Sequence, residues 1–232
     1  MEKSKMFRHE YKYLLDYSKY LQLANILSKT MQQDKNWNNS EGYLIRSLYF
    51  DDIYDTALKE KALGIAYRKK YRVRIYNYSD KMIKLEEKIK MNDYIKKNSS
   101  PVNKAMLVDI LSDTPRIVEK HGDSLQQRFY LQKRINFFKP KVIVDYQREA
   151  YILPFNQIRI TIDKDLAAAK PVLDIFNKDL TTYQLSEQYR YILEVKYNNF
   201  LPNHLKKILA YFCVHRMAVS KYFLCRQYID KL

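Results

Sequence analysis

Residues 68–90, RKKYRVRIYNYSDKMIKLEEKIK, alternate charged and apolar side chains over two successive segments. The charged positions are Arg68, Lys70, Arg72 and Arg74 in the first segment, and Lys84, Glu86, Lys88 and Lys90 in the second. Apolar residues such as Val73 and Leu85 lie between them. Because alternate side chains of a β-strand point to opposite faces, the stretch predicts two strands joined by the polar turn 77–80, each with one charged and one apolar face.

Two further segments near the ends of the chain repeat the pattern. One carries Arg8, Glu10 and Lys12, and the other carries Glu194 and Lys196. A flat sheet could bury the apolar faces and leave the charges in water, whereas a closed sheet wrapped by helices would turn the charges inward and line a tunnel. Solvated faces normally mix both signs of charge, but bases predominate here, which favours the tunnel.

Composition limits the class of protein. The 232 residues include 42 Lys and Arg against 26 Asp and Glu, a formal net charge of +16. This excess favours a polyanionic partner such as nucleic acid, an anionic membrane surface or a polyphosphate compound, without choosing between them. No repeat, low-complexity tract or Pro/Ser linker divides the chain, so we treat residues 1–232 as one domain.

Residues that are scarce exclude some other classes. With only three glycines, the chain has no glycine-rich phosphate loop, so side chains must bind any phosphate. Cys213 and Cys225 have no neighbours that complete a metal-ligand set, which indicates buried thiols in a reducing compartment. No segment matches a signal peptide or reaches the ~20 apolar residues of a membrane span, so we expect a cytoplasmic protein.

Strand and helix patterns together predict an α+β fold. We expect strands at 7–14, 43–50, 66–76, 81–90, 141–153, 157–163, 172–175 and 191–198. We expect helices at 18–31, 53–63, 102–111, 122–132, 202–212 and 218–229, with 34–42 as a loop and 91–101 irregular. In the first helix, Ser18 is the expected N-cap, and Leu21, Ala24, Ile26 and Leu27 form the expected buried side. About eight strands with few helical crossovers predict a closed antiparallel β-barrel with helices packed outside it.

Three acids stand among the bases. Glu10 and Glu86 are interpreted either as internal ion-pair partners or as parts of the site. Glu194 lies in a strand between apolar residues, where a carboxylate near bound phosphates would suit Mg²⁺ or Mn²⁺, which prefer oxygen ligands.

Eight short motifs follow one another along nearly the whole chain. They are RHEYKY (8–13), SLYFD (47–51), YRVR (71–74), LEEKIK (85–90), YQREAY (146–151), RITID (159–163), ILEVK (192–196) and SKY (220–222). Their order resembles the polyphosphate polymerase domain of the vacuolar transporter chaperone (VTC) family, within the triphosphate tunnel metalloenzyme, or CYTH-like, group. The resemblance implies an antiparallel barrel whose interior binds a nucleoside triphosphate and a growing phosphate chain.

The resemblance also implies roles for individual residues. Phosphate contacts are expected from Lys12, Arg72, Arg74, Lys88, Arg148, Arg159 and Lys221, of which we assign Lys12, Arg72, Arg74 and Lys221 to catalysis. Glu194 would hold Mn²⁺ or Mg²⁺, and Tyr49 would shape the wall near the nucleotide. Strand parity alone adds Lys84, Lys90 and Lys196 to the phosphate-binding set, and Arg8 and Glu10 complete it.

Position 8 distinguishes this chain within the wider group. Hydrolytic tunnel enzymes resemble one another in an E-x-E-x-K strand, whereas here Arg8 stands where the first carboxylate would be, followed by Glu10 and Lys12. Loss of that acid weakens a second metal site and removes a group that could orient water, which favours transfer to phosphate over hydrolysis.

Three functions follow as hypotheses. The first is a metal-dependent polymerase that transfers the γ-phosphate of ATP to polyphosphate; the second is a tripolyphosphatase or nucleoside triphosphatase on the same scaffold. The third is a binder of polyphosphate or nucleic acid without enzymatic activity, which net charge and 22 tyrosines would also fit. We expect no specific nucleic-acid partner, and any membrane or accessory partner would be a separate chain.

Overall fold

A ring of eight antiparallel strands organises the molecule. The computed structural model describes residues 8–37, 41–92, 94–112, 123–213 and 215–232. Its strands are β1 Arg8–Leu15, β2 Gln32–Gln33, β3 Tyr43–Asp51, β4 Tyr67–Tyr76, β5 Ser79–Met91, β6 Tyr94–Val102, β7 Lys139–Leu153, β8 Ile158–Ala169, β9 Tyr183–Gln184 and β10 Tyr191–Tyr197. The ring runs β7-β3-β4-β5-β6-β1-β10-β8 and returns to β7, while the two-residue strands β2 and β9 pair with β7 and β8. The predicted α+β class and antiparallel sheet are confirmed.

Six helices lie among the described residues. They are α1 Tyr17–Thr30, α2 Thr56–Ala62, α3 Lys104–Leu111, α4 Ser124–Ile135, α5 Asn203–Phe212 and α6 Lys221–Ile229. None of these described helices is long and apolar enough to cross a membrane. The expected start of the first strand at residue 7 and of the fourth helix at residue 122 fall outside the described residues.

Residues 68–90 fold as their alternating pattern predicts. β4 and β5 form a hairpin whose two turn residues, Asn77 and Tyr78, have φ values of 49° and 56°. Two successive left-handed residues give the turn a twist that matches the strands, so β5 starts at Ser79, two residues nearer the turn than expected, while β4 ends at Tyr76 as expected. The apolar face of this hairpin packs against α3 and α4, where Val73 and Leu85 join a core with Phe129.

Helices cover the apolar face elsewhere in the ring as well. Leu23 and Leu27 of α1 and Leu205 of α5 pack with Ile160 of β8. Helix α6 instead packs on the inward face of β3, β7 and β8, where Cys225 lies in a third core with Tyr49 and Tyr146. The charged faces of the strands are therefore left on the inside of the ring.

Several local predictions were wrong. The N-cap of α1 is Asp16, whose carboxylate accepts from Lys19 N, and not Ser18. Leu21 is 47% exposed while Leu23 is fully buried, because the stripe that meets the sheet passes through 23, 27 and 31. The second helix starts at Thr56, since residues 53 and 54 form a turn capped by the side chains of Asp51 and Asp52.

Two strand predictions also fail. Residues 91–101 were expected to be irregular, but 94–102 form β6, which pairs with β5 over nine residue pairs and with β1 over two. The predicted strand 172–175 is instead a loop whose Ile175 side chain is buried. This loop is held by Arg46, which donates to the carbonyls of Ile175 and Asn177 while it pairs with Asp145.

Candidate functional site

The inward faces of the ring enclose a cavity of about 400 Å³. Fourteen basic residues line it, against the acids Glu10 and Glu194. The bases are Lys12, Lys61, Arg68, Lys70, Arg72, Arg74, Lys88, Lys90, Lys97, Arg148, Arg159, Lys196, Arg216 and Lys221. Such a concentration of positive charge is costly for a folded chain unless carboxylates or a bound anion offset it.

Most of the residues singled out in the sequence meet in this cavity. All the predicted site residues except Arg8 and Lys84 are among its lining. Arg8 is exposed at the start of β1, where its guanidinium donates to the Gln157 side chain. Lys84 lies outside the lining, with its ammonium 5.7 Å from the centre of the Tyr76 ring.

One buried carboxylate orients two of the arginines. Glu86 is fully buried, and its Oε2 accepts from Arg72 Nε at 2.8 Å and lies 3.6 Å from Arg74 Nη1. Lys97 contacts the other carboxylate oxygen at 2.8 Å. Burial raises the pKa of Glu86, but Arg74, Arg72 and Lys97 outweigh it and hold that pKa well below the ordinary value. Glu86 is thus ionised and fixes both guanidinium groups.

A second carboxylate, Asp163 of β8, holds another pair of bases. It accepts from Arg148 Nε at 2.6 Å and from Arg148 Nη2 at 2.8 Å, while Lys221 Nζ lies 2.6 Å from Oδ2. Burial raises the pKa of Asp163, but Arg148 and Lys221 lower it to about 2. The bidentate geometry fixes the plane of the Arg148 guanidinium.

The two lining acids share a cluster of lysines. Lys12 Nζ lies 3.4 Å from Glu10 Oε1 and 3.3 Å from Glu194 Oε2, so it bridges the two carboxylates. Lys88 pairs with Glu10, and Lys196 contacts both acids. Burial raises the pKa of Glu194, but the charges of Lys196 and Lys12 outweigh burial and keep this pKa well below its ordinary value. Glu10 is likewise held ionised, with a pKa of about 2.

These carboxylates bear on the predicted metal site. Among the described residues, no group of three or more His, Cys, Asp or Glu side chains could hold a metal ion. Mg²⁺ and Mn²⁺ sites in phosphate-handling proteins often use one or two carboxylates and complete the shell with phosphate oxygens and water. Glu10 and Glu194, adjacent and ionised, fit that donor set but not an all-protein cage.

The segment 215–220 closes one side of the cavity. Met217 N donates to the Lys12 carbonyl at 2.8 Å, and Lys12 Nζ donates to the Val219 carbonyl at 3.0 Å. Lys70 Nζ donates to Ser220 Oγ at 2.8 Å, just before Lys221 opens α6. The segment therefore ties α6 to β1 and β4.

Two stacked tyrosines continue this wall. Tyr222 stacks on Tyr49 with ring centroids 5.1 Å apart, and Tyr49 OH accepts from Arg72 Nη1 at 2.7 Å. Tyr222 OH donates to Asp51 Oδ2 at 2.5 Å. Asp51 is itself fixed by backbone N–H groups of α2, so the end of β3 positions the wall.

Some lining bases were not predicted as site residues. Arg68 and Lys70 belong to the alternation at the start of residues 68–90, so strand parity alone could have placed them inside the ring. Burial, followed by the charges of Lys88 and Lys12, lowers the pKa of Lys70 well below its ordinary value. Lys97 was missed because its strand, β6, was not predicted, and Lys61 and Arg216 lie outside the strands, where no periodicity marks them.

Fold and cavity together define an α+β protein in which an antiparallel ring encloses a strongly basic interior. The family model of the VTC domain matches residues 7–229, and the chain belongs to the VTC domain family. The family resemblance predicted from the motifs is thereby confirmed. No curated protein matches the chain.

Solved structures share the fold at low sequence identity. A candidate adenylate cyclase from Bacillus halodurans has a TM-score of 0.55 at 14% identity, covering 92% of this chain and 93% of that one. A candidate adenylate cyclase from Vibrio parahaemolyticus has a TM-score of 0.50 at 11% identity over 99% and 100%. A chain of the Schizosaccharomyces pombe Mediator head module has a TM-score of 0.51 at 9% identity over 91% and 98%. Proteins with such different descriptions share the architecture, so the fold alone does not specify a reaction.

Proposed function

We propose that this chain is a polyphosphate polymerase that transfers the γ-phosphate of ATP to the end of a polyphosphate chain inside the basic ring. The observation that carries the proposal is the cavity, where fourteen bases face two acids within a VTC domain. A polyphosphate carries roughly one negative charge per phosphate and would offset this excess. The ring would then act as a triphosphate tunnel.

Phosphoryl transfer needs positioning and charge stabilisation more than covalent chemistry from the protein. The carboxylates Glu86 and Asp163 hold Arg72, Arg74 and Arg148 in fixed orientations before any ligand binds. Planar guanidinium groups held in this way match the oxygens of phosphates in bidentate geometry. We assign these arginines, with Lys12 and Lys221, to the phosphates that react.

The proposed step is an in-line displacement. An ionised oxygen of the terminal phosphate forms a bond to the γ-phosphorus of ATP, the bond from that phosphorus to the β,γ-bridging oxygen breaks, and ADP leaves with the electron pair. The acceptor oxygen is already deprotonated near neutral pH, so no general base is required. The acceptor chain becomes one phosphate longer.

Glu194, with Glu10 beside it, would hold a divalent cation together with phosphate oxygens. When bound, Mg²⁺ or Mn²⁺ would supply positive charge to the triphosphate. In the structure both carboxylates are paired with lysines, so these lysines can turn to phosphate oxygens when a cation takes their place. Lys12 is the best placed, since it contacts both acids.

Arg8 supports transfer over hydrolysis in a specific way. It supplies no carboxylate beside Glu10 and Lys12, and its side chain lies outside the cavity lining against Gln157. Strand β1 therefore carries a single acid, Glu10, and supplies no second carboxylate that could orient water.

A product gel tests the proposal. The purified chain is incubated with ATP and Mn²⁺ or Mg²⁺, and polyphosphate length, ADP and free phosphate are measured in parallel. Glu194→Gln and Arg74→Ala should abolish chain formation. Matched controls are Glu187→Gln and Arg190→Ala, which change an exposed surface ion pair and should leave chain formation unchanged.

The outcomes separate the competing functions. Long chains with stoichiometric ADP support the polymerase. Free phosphate without chains would assign the cavity to hydrolysis. Salt-sensitive binding of polyphosphate without turnover would make the chain a binder, and tight nucleic-acid binding without any binding of ATP and metal would overturn the tunnel interpretation.

A further inference from the structure

Among the described residues, no helix packs on one part of the outer sheet face. Helix α4 covers the strands as far as the row formed by Tyr71, Glu87 and Asn98. There Phe129 packs on Tyr71 with ring centroids 5.6 Å apart, and Arg128 donates to Glu87. The next two rows toward the β5–β6 turn lie beyond this cover. They are defined by strand register across β4, β5 and β6.

These two rows have a distinctive order. The first, the lysine row, is Lys69, Ile89 and Lys96. The second, the tip row, is Tyr67, Met91 and Tyr94, at the ends of the three strands. The tip-row side chains are 50%, 42% and 44% exposed, so three large apolar or aromatic groups stand together in solvent.

Neighbouring residues extend the apolar tip. Leu63 and Ile65, in the segment that enters β4, are 77% and 45% exposed. The turn after β5 is bound to this segment, since Asn92 N donates to the Ala66 carbonyl at 3.1 Å. Single exposed apolar residues are ordinary on protein surfaces, but a contiguous group at one end of a sheet indicates an interaction site.

Charge identifies the partner. Neither row contains an acid, and Glu87 in the covered row is only 1% exposed; Asp93 of the turn lies outside the described residues. The two lysines stand one row behind the apolar tip, a distance of about 6–7 Å along a strand. An anionic bilayer presents the same order of layers. Its phosphates lie at the surface, and an apolar protein face can be buried about 5–10 Å into the boundary between headgroups and acyl chains.

We infer that this face docks the chain onto an anionic lipid bilayer, with the tip row at the headgroup boundary and the lysine row on lipid phosphates. Tyrosines suit this position because their rings are apolar and their hydroxyls stay hydrated. A soluble polyanion would engage the lysines but would leave the apolar tip exposed. This inference is independent of the reaction proposed for the cavity.

Vesicle co-sedimentation tests the inference. The full chain is mixed with vesicles of phosphatidylglycerol and phosphatidylcholine, or of phosphatidylcholine alone, at several salt concentrations. The chain should pellet with the anionic vesicles, more weakly as salt rises, and stay in the supernatant with the neutral ones. Lys69→Gln/Lys96→Gln should lower the partition coefficient by about 25-fold, at about fivefold per lysine near an anionic surface.

A second variant tests the apolar tip separately. Tyr67→Ser/Met91→Ser/Tyr94→Ser should abolish pelleting even at low salt while the melting temperature stays close to that of the wild type. The matched controls are Lys206→Gln/Lys207→Gln, with the same charge change on the exposed face of α5, and Val108→Ser/Leu131→Ser/Tyr211→Ser, three exposed apolar residues elsewhere. Both controls should pellet like the wild type.

Three results would overturn the inference. The first is failure of the wild type to pellet with anionic vesicles at low salt, and the second is a control that loses binding as strongly as its partner variant. The third is a dimer in solution that the tip variant abolishes without any vesicle binding, which would assign this face to a second copy of the chain.

Discussion

Glu86→Gln is the most informative single change beside the cavity, because Glu86 holds two of the arginines that line it. Glu86 is fully buried and pairs with Arg72, Arg74 and Lys97. The substitution keeps the shape of the side chain but removes the negative charge. Two buried guanidinium groups then face each other without their shared counter-ion.

The free-energy cost of the substitution depends on the hydrogen bonds that the partners of Glu86 keep. Removing one member of a buried ion pair costs about 3–5 kcal/mol. Arg72 keeps its hydrogen bond to Tyr49, and Arg74 keeps those to Ser47 and Tyr146, so we expect the lower end, about 3 kcal/mol. Lys97 adds little, because half of its side chain is exposed to solvent. For a chain of this size the melting temperature should fall by roughly 6–12 °C.

Thermal unfolding with and without inorganic tripolyphosphate is the assay. Added tripolyphosphate should raise the melting temperature more in Glu86→Gln than in the wild type, because the anion replaces the missing charge. Glu187→Gln, whose side chain is 77% exposed, is the control and should change the melting temperature by less than about 2 °C. Equal shifts in both variants, or a smaller effect of tripolyphosphate on Glu86→Gln, would refute the role assigned to Glu86.

Three further changes test other parts of the structure. The pKa of Asp163 is about 2 because the charges of Arg148 and Lys221 outweigh burial. The stabilising effect of the ionised Asp163 is therefore complete above pH 4 and lost as pH falls through 2. Urea unfolding should thus show about 2 kcal/mol less pH dependence between pH 5 and 2 in Asp163→Asn than in the wild type. Tyr222→Phe should cost about 1–2 kcal/mol in unfolding free energy, since Asp51 loses a buried donor, and an unchanged value would contradict that bond. Gly42→Ala should cost roughly 2 kcal/mol or more by the same measurement, because φ is +96° and a Cβ would lie 2.1 Å from the Arg148 carbonyl oxygen; a neutral effect would contradict this backbone geometry.

The alternation of side chains along the strands was enough to predict most of the residues that line the cavity. The parity of Lys12, Arg72, Lys88 and Lys196 placed all four inside because every residue of a strand in a one-sided sheet has a fixed face. Parity does not tell how far along its strand a residue lies. Arg8 was therefore grouped with Glu10, although its side chain lies outside the cavity lining.

Other features depended on tertiary contacts that no local pattern records. β6 contains Lys, Asn, Ser and Pro, and it is a strand because β5 and β1 supply hydrogen-bond partners on either side. The loop at 172–175 has the composition of a strand, but Arg46 takes the carbonyl of Ile175. Pairings such as Glu86 with Arg74 could be proposed from the sequence as internal ion pairs, but their geometry required the folded ring.

The pairing of β1 with β10 has a consequence for how the protein is made. Lys12 lies opposite Glu194, and β10 in turn pairs with β8 to complete the ring. During synthesis β1 must therefore wait for about 180 further residues before its main partner exists. Contacts between such distant parts of a chain form slowly. The basic interior thus closes only after β10 has been made, and a nascent chain that stops short of Tyr191 lacks the strand that joins β1 to β8.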